Sequence, residues 1–360
     1  MLTRIAFILT LIAASAFGGD WNPRQAAQYM DGRQKAWFAW PNASRSGVVC
    51  VSCHTGLPYL LARPALRRSL GETAPTLYEA VLLDGLRATV VRTNADDLLG
   101  TKSNTLLSKQ VYGAQSVLAT LFLAIDDAQR GGGLSPEGEK AFDRMWSLQV
   151  KTGKNQGGWL WSDFDLDPWE TADSAYYGSA LGALATGVAP AGYQSRPQIR
   201  ENVAALTAYL RGAQKTTPLH NRLILLWASA KLRDLLPDAE RQAIVDEVWR
   251  KQQDDGGWTL ESLGEWKKRP EAPPAVGSNS YATGLVAFTL EQAGTQRSTP
   301  GLARALTWLR AHQDPESGSW AAESMNHRHD AGSIPEFFMR DAATGFASLA
   351  LIAPETSGTR

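Results

Sequence analysis

The sequence predicts an all-α protein built as a double ring of helices, an (α/α)6 toroid. Three observations predict this fold: a Gly-x-Trp turn that recurs after helices ending in Gln, a set of apolar segments rich in small residues, and amphipathic segments alternating with them. A helix that is apolar on nearly every side is buried on every side, whereas an amphipathic helix lies at the surface. Six buried helices alternating with six outer helices give two concentric rings.

The recurring turn is the first of these elements. A predicted helix ends near a Gln, and a Gly-x-Trp sequence follows within a few residues. The three clear copies carry Gln149 with Trp159, Gln253 with Trp258, and Gln313 with Trp320. Buried aromatic side chains mainly stabilise a fold, so we interpret these six residues as structural rather than catalytic.

The alternating helices are the second element. The predicted inner helices start near residues 54, 111, 173, 221, 280 and 341, and the predicted outer helices cover about 22–38, 75–93, 136–150, 198–212, 238–252 and 300–312. Asp173 and Asp341 stand where two inner helices begin, so we predict that they are helix N-caps.

These turns resemble the QW repeats of squalene-hopene cyclases and related terpenoid cyclases, over roughly residues 21–354. The same double ring occurs in protein prenyltransferase β-subunits, and the resemblance implies a central cavity that opens at the rim where the inner helices start. Class II terpenoid cyclases protonate an alkene with an Asp-x-Asp-Asp motif. This chain has Asp163-x-Asp165-x-Asp167 and no Asp-x-Asp-Asp, which disfavours cyclisation.

A short cysteine motif carries the chemistry. Cys50-Val51-Ser52-Cys53-His54 is the C-x-x-C-H pattern of covalent haem attachment, and it holds both cysteines of the chain. The thiols of Cys50 and Cys53 would bond to the haem vinyl groups, and His54 would bind the iron. The alternatives are a disulfide, a thioredoxin-like redox pair, or half of a zinc site, which usually has four ligands. The sequence therefore predicts one covalent haem c.

The motif occupies the slot between the first outer and first inner helix, where later repeats have the Gly-x-Trp turn. The residues around it, from Trp37 to Pro41 and from Leu57 to Tyr59, resemble those of exported, single-toroid, cyclase-like proteins with a cytochrome-c-type motif at the front. We therefore expect the haem at the cavity mouth rather than in a separate cytochrome domain, since too little chain precedes the motif to bury a haem.

The N-terminus predicts export. Arg4 precedes an apolar stretch from Ile5 to Phe17, and Ala14-Ser15-Ala16 fits a small-x-small cleavage site. We predict a signal peptide over 1–16, one toroid domain over 17–354 and a C-terminal tail over 355–360, with an uncleaved anchor as the alternative. No other segment approaches the ~20 apolar residues of a membrane-spanning helix. Because haem c is attached outside the bacterial cytoplasm, the protein is expected to be periplasmic or otherwise exported.

The second axial ligand of the iron is predicted from adjacency in the ring. The first inner helix would neighbour the second and the sixth. The segment that leads into the second, residues 93–110, has no His or Met, whereas the segment that leads into the sixth has both. We favour Met339, with His329, His327 and Met325 as rivals, and His220 lies across the ring. A Met ligand suits electron transfer because it raises the iron potential. An open sixth position would instead favour small-molecule binding or peroxide chemistry.

Other side chains are predicted to line the rim because they precede or begin an inner helix. They are Asp163, Trp169, Asp173, Tyr176, Tyr177 and Asp341. Asp163, together with Asp165 and Asp167, is also compatible with a hydrated turn, and no catalytic residue is assigned.

The sequence thus predicts an exported haem protein that performs electron transfer or haem-dependent redox chemistry at the mouth of a cavity. A redox partner protein or a small hydrophobic ligand would be its partner. The formal net charge of +0 gives no basic surface for nucleic acid. The alternatives are a cyclase-like enzyme acting on an isoprenoid or hopanoid lipid, and a non-catalytic binding toroid.

Overall fold

The computed structural model describes residues 20–45, 48–91, 105–190, 192–274 and 277–352, and in these ranges the protein is helical. The helices are α1 (Pro23–Ala39), α2 (Gly56–Ser69), α3 (Leu77–Val91), α4 (Leu106–Arg130), α5 (Pro136–Ser147), α6 (Ala175–Val188), α7 (Arg200–Ala213), α8 (Leu219–Ser229), α9 (Asp238–Arg250), α10 (Ser280–Gln292), α11 (Pro300–Ala311) and α12 (Phe338–Leu351). A short hairpin of β1 (Ser44–Arg45) and β2 (Val48–Val49) precedes the cysteine motif. The predicted all-α class is confirmed, while the predicted signal peptide and C-terminal tail lie outside the described residues.

Local signals explain where the outer helices begin. The side chain of Asn22 accepts hydrogen bonds from the backbone N–H groups of Arg24 and Gln25, and Pro23 starts α1. Ser135 caps α5 in the same way, with Pro136 next and two acidic residues in the first turn. Each cap satisfies backbone donors that a helix start leaves without partners.

Small residues let the even-numbered helices approach one another closely. Going round the molecule, α4 packs on α6, α6 on α8, α8 on α10, α10 on α12, and α12 on α2. A Cβ added to Gly284 of α10 would lie 2.7 Å from the backbone nitrogen of Ala347 in α12. A Cβ on Gly345 of α12 would lie 2.5 Å from Cβ of Pro58 in α2. Larger side chains at either glycine would force these helices apart.

The tryptophans of the three turns are fully buried. Trp159, Trp258 and Trp320 are each 0% exposed. Each indole N–H donates to a backbone carbonyl near the end of the preceding helix, at Met145, Val248 and Leu309 respectively. The three turns therefore have one geometry, in which the indole fixes the turn against the helix that it follows.

The glutamines of the turns connect odd-numbered helices. The side-chain amide of Gln149 donates to the carbonyls of Gly157 and of Asn202 in α7. Gln313 donates to the carbonyls of Gly318 and of Asn22, the N-cap of α1. The last repeat is therefore hydrogen-bonded to the first.

In the second turn the equivalent residue is Gln252, not the predicted Gln253. Gln252 donates to the carbonyls of Gly256 and of Gly301 in α11, whereas Gln253 is exposed and bonds only locally, to Lys251. Two adjacent glutamines follow α9, and the sequence alone does not distinguish the one that faces the neighbouring helix.

Within the described ranges, none of the helices combines the length and the apolar character that crossing a bilayer requires.

Candidate functional site

The cysteine motif forms the turn that starts α2. The hydroxyl of Ser52, one of the two residues between the cysteines, accepts hydrogen bonds from the backbone N–H groups of Thr55, the N-cap residue of α2, and of Gly56, its first residue. The indole N–H of Trp37 in α1 donates to the carbonyl of Cys50 at 2.9 Å. Neither Cys50 nor Cys53 forms a disulfide bond. The motif is thus held by α1 on one side and by the start of α2 on the other.

A cavity of about 350 Å³ opens beside the motif. It lies between the motif, the start of α4 and the segment 162–170, and Cys50, Cys53 and His54 all contribute to its wall. Much of the remaining wall is aromatic or apolar, and it includes Trp37, Trp40, Tyr112, Phe164, Leu166 and Phe338. This volume and lining are typical of sites for organic ligands and cofactors.

His54 stands in this wall with one ring nitrogen engaged. Nδ1 lies 3.1 Å from the hydroxyl of Thr55, and that hydroxyl donates to Oδ2 of Asp341 at 2.7 Å. Because the single hydroxyl proton of Thr55 goes to the carboxylate, Nδ1 of His54 must carry the proton that it shares with Thr55. Nε2 then has a lone pair, and among the described residues it has no hydrogen-bond partner.

Aromatic rings fix the plane of the His54 imidazole. Phe338 at the start of α12 stacks on it, with ring centroids 3.4 Å apart and an interplanar angle of 20°. Trp37 presents its edge at 5.3 Å, and Trp169 lies at 6.2 Å. Burial holds the pKa of His54 well below its ordinary value, and Arg33 and His329 act in the same direction. The ring is therefore a neutral imidazole, the form that binds metals.

Glu170 places a buried carboxyl in the same wall. Burial raises its pKa to about 7, although a hydrogen bond with Cys53 opposes the shift. Burial also raises the pKa of the Cys53 thiol, and Glu170 adds to that effect. Near neutral pH this carboxyl can therefore take up or release a proton at the cavity.

Sequence reasoning missed Glu170, and it also missed Gln115 of α4. The Gln115 amide donates to the sulfur of Cys50 at 3.2 Å and lies 3.4 Å from the carbonyl of Val51. Gln115 follows Ser108, Lys109 and Gln110 in the same helix, so its polar side chain did not set it apart in the sequence. Glu170 had no signal either, because its burial arises from tertiary contacts.

The candidate second ligands lie away from this wall. Met339 is 2% exposed within the apolar core, and Met325 is 6% exposed. Nε2 of His327 lies 3.0 Å from the carbonyl oxygen of Asp165. His329 stacks on His327, with ring centroids 5.4 Å apart. None of these four side chains lines the cavity beside Cys50 and His54.

The acidic segment that follows the first turn joins three loops. Asp165 pairs with Arg269 and Lys267, and Asp167 accepts hydrogen bonds from the backbone of Lys267 and the amide of Asn326. Asp163 is exposed at the surface. These carboxylates therefore hold the loops before α6, α10 and α12 together.

The two predicted N-caps are wrong. Asp173 is exposed and pairs with Lys154, while α6 starts at Ala175 with Ser174 as its N-cap residue. Asp341 lies within the first turn of α12, where Phe337 is the N-cap residue. It is buried and hydrogen-bonded to two side chains of α1 and to Thr55, the residue after the motif, so tertiary contacts outweigh the capping preference.

The remaining rim candidates, Trp169, Tyr176 and Tyr177, are buried. Trp169 donates its indole N–H to the hydroxyl of Tyr281 at 2.8 Å, and that hydroxyl lies 2.8 Å from Nε2 of His220. Tyr177 stacks on His220 at 5.7 Å. The hydroxyl of Tyr176 donates to the carbonyl of Leu210. All five side chains are at most 3% exposed, so they belong to the packed interior of the protein.

No protein-family model matches the chain, and no curated protein matches it significantly. The cavity itself defines the kind of site. It combines two thiols, one neutral imidazole with a free lone pair, a buried carboxyl and an aromatic wall. Such a set of side chains can bind a metal ion through the imidazole and an organic group against the aromatic wall.

Proposed function

We propose that the protein is an exported c-type haem protein that performs electron transfer or haem-dependent redox chemistry. The observation that carries this proposal is the placing of His54. Its Nδ1–H is donated to Thr55, its Nε2 is without a partner among the described residues, and it shares the wall of a 350 Å³ cavity with Cys50 and Cys53. Metal-binding histidines are held in this way, with the second ring nitrogen donating to a fixed acceptor.

The residues present fit such a group. Each thiol would add across a vinyl group, its sulfur bonding to one carbon and its hydrogen going to the other, so the attachment needs no oxidant. Nε2 of His54 would bind the iron. Phe338 and Trp37 hold the imidazole plane, and the aromatic wall excludes water from that side. When bound, the haem would supply a one-electron redox centre.

The fold that we propose is the closed (α/α)6 toroid. Contacts run from α4 through α6, α8, α10 and α12 to α2, and the Gln313 side chain bonds to Asn22 at the other end of the described chain. Both observations support a ring in which the last repeat meets the first. In that arrangement the haem motif takes the position that the Gly-x-Trp turn has in later repeats.

The packing between the inner helices favours a haem protein over a terpenoid cyclase. Trp169, Tyr177, His220 and Tyr281 are buried there, in the region where the cyclase resemblance implies a lipid-sized cavity. The cavity at Cys50 and His54 lies to one side of them. A haem at that position would be near the surface, as exchange of electrons with a partner protein requires.

Three parts of the proposal depend on sequence alone. Export rests on the N-terminal pattern. The second axial ligand remains Met339, with His329, His327 and Met325 as rivals, and a redox partner protein or a small hydrophobic ligand remains the proposed partner.

The test is expression of the full chain in a bacterium that has the haem-attachment machinery, followed by purification from the periplasm. We expect a haem c absorption spectrum and a mass increase of one haem that survives denaturation. The Cys50→Ala/Cys53→Ala double variant should lose the covalent haem. As the matched control, Ser147→Ala changes an exposed side chain far from the motif and should keep the haem. A wild-type chain without covalent haem under these conditions would refute the proposal.

A further inference from the structure

We propose that Asp341 and Thr55 act through His54 to lower the reduction potential of the bound iron. This inference rests on the proposed function, because it concerns the same haem. Asp341 and Thr55 would be positioning residues, since neither would touch the iron.

The contacts form a chain from a buried carboxylate to the imidazole. The hydroxyl of Thr55 donates to Oδ2 of Asp341 at 2.7 Å and lies 3.1 Å from Nδ1 of His54. Asp341 is 4% exposed, Thr55 3% and His54 4%. Electrostatic effects passed along buried hydrogen bonds are little weakened by solvent.

The direction of these hydrogen bonds follows from the other partners of Asp341. Its Oδ1 accepts from the hydroxyl of Tyr29 at 2.9 Å and from Nε of Arg33 at 2.8 Å. Burial raises the pKa of Tyr29 far above its ordinary value, so this hydroxyl keeps its proton and donates. With two donors on Oδ1 and an ion pair to Arg33, the carboxylate accepts from Thr55 as well.

The chemical consequence concerns His54. The anionic carboxylate polarises the Thr55 hydroxyl, which becomes a stronger acceptor for the Nδ1–H of His54. The imidazole then carries more negative charge at Nε2, the nitrogen that would bind the iron. Such charge favours the oxidised iron over the reduced iron, and the reduction potential therefore falls.

The chain contains a matched control for this cluster. Asp31 of α1 also accepts from a tyrosine hydroxyl and an arginine Nε, those of Tyr59 at 2.7 Å and Arg63 at 3.1 Å. This second cluster joins α1 to α2 as the first joins α1 to α12. It has no hydrogen bond to Thr55 or His54 among the described residues.

The experiment measures the midpoint potential of the full-length, haem-loaded protein by spectroelectrochemistry. Thr55→Val keeps the side-chain shape and removes the hydroxyl, and we expect the potential to rise. Thr55→Ser restores a hydroxyl and should return the potential towards that of the wild type. Asp341→Asn should raise the potential as Thr55→Val does, whereas Asp31→Asn should leave it unchanged.

A double-mutant cycle separates a relay from two independent effects. If Asp341 acts through Thr55, the Thr55→Val/Asp341→Asn variant should show little more shift than Thr55→Val alone. Additive shifts, or a Thr55→Val shift no larger than that of Asp31→Asn, would refute the relay. Should Asp341→Asn fail to fold, the Thr55→Val and Thr55→Ser pair still decides.

A second measurement needs no haem. In the haem-free chain, nitrogen NMR of the His54 ring should report a proton on Nδ1, and Thr55→Val should change that signal. If the haem-loaded wild type and its Thr55→Val variant have the same midpoint potential, only this inference is refuted. A wild type that binds no covalent haem refutes the proposed function and this inference with it.

Discussion

Two buried histidines of this molecule differ at a single ring nitrogen. His220 in α8 has both nitrogens paired, Nδ1 with Oδ1 of Asn221 and Nε2 with the hydroxyl of Tyr281, each at 2.8 Å. His54 has only Nδ1 paired, with Thr55, and it stands in a cavity wall. The comparison teaches that burial alone does not distinguish a structural histidine from a ligand. The pairing of the second nitrogen does.

Their surroundings differ in the same sense. Because an indole nitrogen only donates, Trp169 donates to Tyr281, whose own proton must then go to Nε2 of His220. Nδ1 of His220 therefore carries a proton and donates it to Asn221. Every polar atom named in this cluster has a partner, as stability requires. Around His54, by contrast, two thiols and a carboxyl face a cavity.

The largest expected effect comes from exchanging the two histidines for alanine. His220→Ala should lower the free energy of unfolding by roughly 2–4 kcal/mol, because it leaves the Tyr281 hydroxyl without its acceptor and opens a cavity. It should not change the haem spectrum. Under the proposed function, His54→Ala would remove a ligand of the iron and should change the haem spectrum. Urea unfolding and absorption spectra of both variants check this. If the two variants changed the free energy of unfolding and the haem spectrum alike, the proposed difference between His54 and His220 would be refuted.

Tyr281→Phe should have the next largest effect. It removes the group that pairs both Trp169 and His220, so we expect a loss of roughly 1–3 kcal/mol in the free energy of unfolding. The matched control is Tyr176→Phe, whose hydroxyl has one backbone acceptor, at Leu210, and which should cost about 1 kcal/mol. Equal losses in the free energy of unfolding for the two variants would show that the hydrogen bonds of Tyr281 to Trp169 and His220 stabilise the fold no more than that of Tyr176.

The pH dependence of stability should separate the two regions in the haem-free chain. Burial raises the pKa of Glu170 from 4.5 to about 7, so the folded state binds more protons than the unfolded state between these values. Its contribution to stability is present below pH 4.5 and is lost as pH rises through about 7.

His220 should have the opposite effect. Burial lowers its pKa from 6.5 to about 4, so its contribution is present above pH 6.5 and is lost as pH falls through about 4. Urea unfolding across this range, with Glu170→Gln as the comparison, measures both slopes. Glu170→Gln should flatten only the decline towards neutral pH. An unchanged decline would mean that Glu170 does not titrate in the folded chain.

The smallest expected effect is that of Met339→Leu. A volume-conserving change in the core should cost below about 1.5 kcal/mol. If Met339 is the second axial ligand, the absorption spectrum of the oxidised, haem-loaded protein should change as well. If Met339 only packs in the core, that spectrum should stay the same. His329→Ala in parallel tests the leading rival.

Local patterns in the sequence were sufficient for the helices and for the position of the motif. Apolar periodicity located the helices, since the residues that form a buried helix face are close together in the sequence. The motif was recognisable because its five residues are contiguous. Even the buried tryptophans followed from the repeated turn.

The partners of the site residues were not predictable in this way. The hydrogen bond between Thr55 and Asp341 joins residues 286 positions apart, and nothing near either residue specifies the other. Asp341 looked like a helix cap because acidic residues favour such positions, and its real role depends on α1. Gln252 and Gln253 are adjacent and identical in type, so only the fold decides between them.

The hydrogen bond between Gln313 and Asn22 has a consequence for the order of events during synthesis. It joins residues 291 positions apart, and Phe338 and Asp341, which enclose His54, are also made late. In a chain that emerges from its N-terminus, the motif is therefore complete long before the helices that bury it. Under the proposed function, the two thiols would be accessible to an attachment enzyme throughout that interval. Synthesis of the last helices would end it, so the position of the motif ahead of α2 would leave a long time for haem attachment.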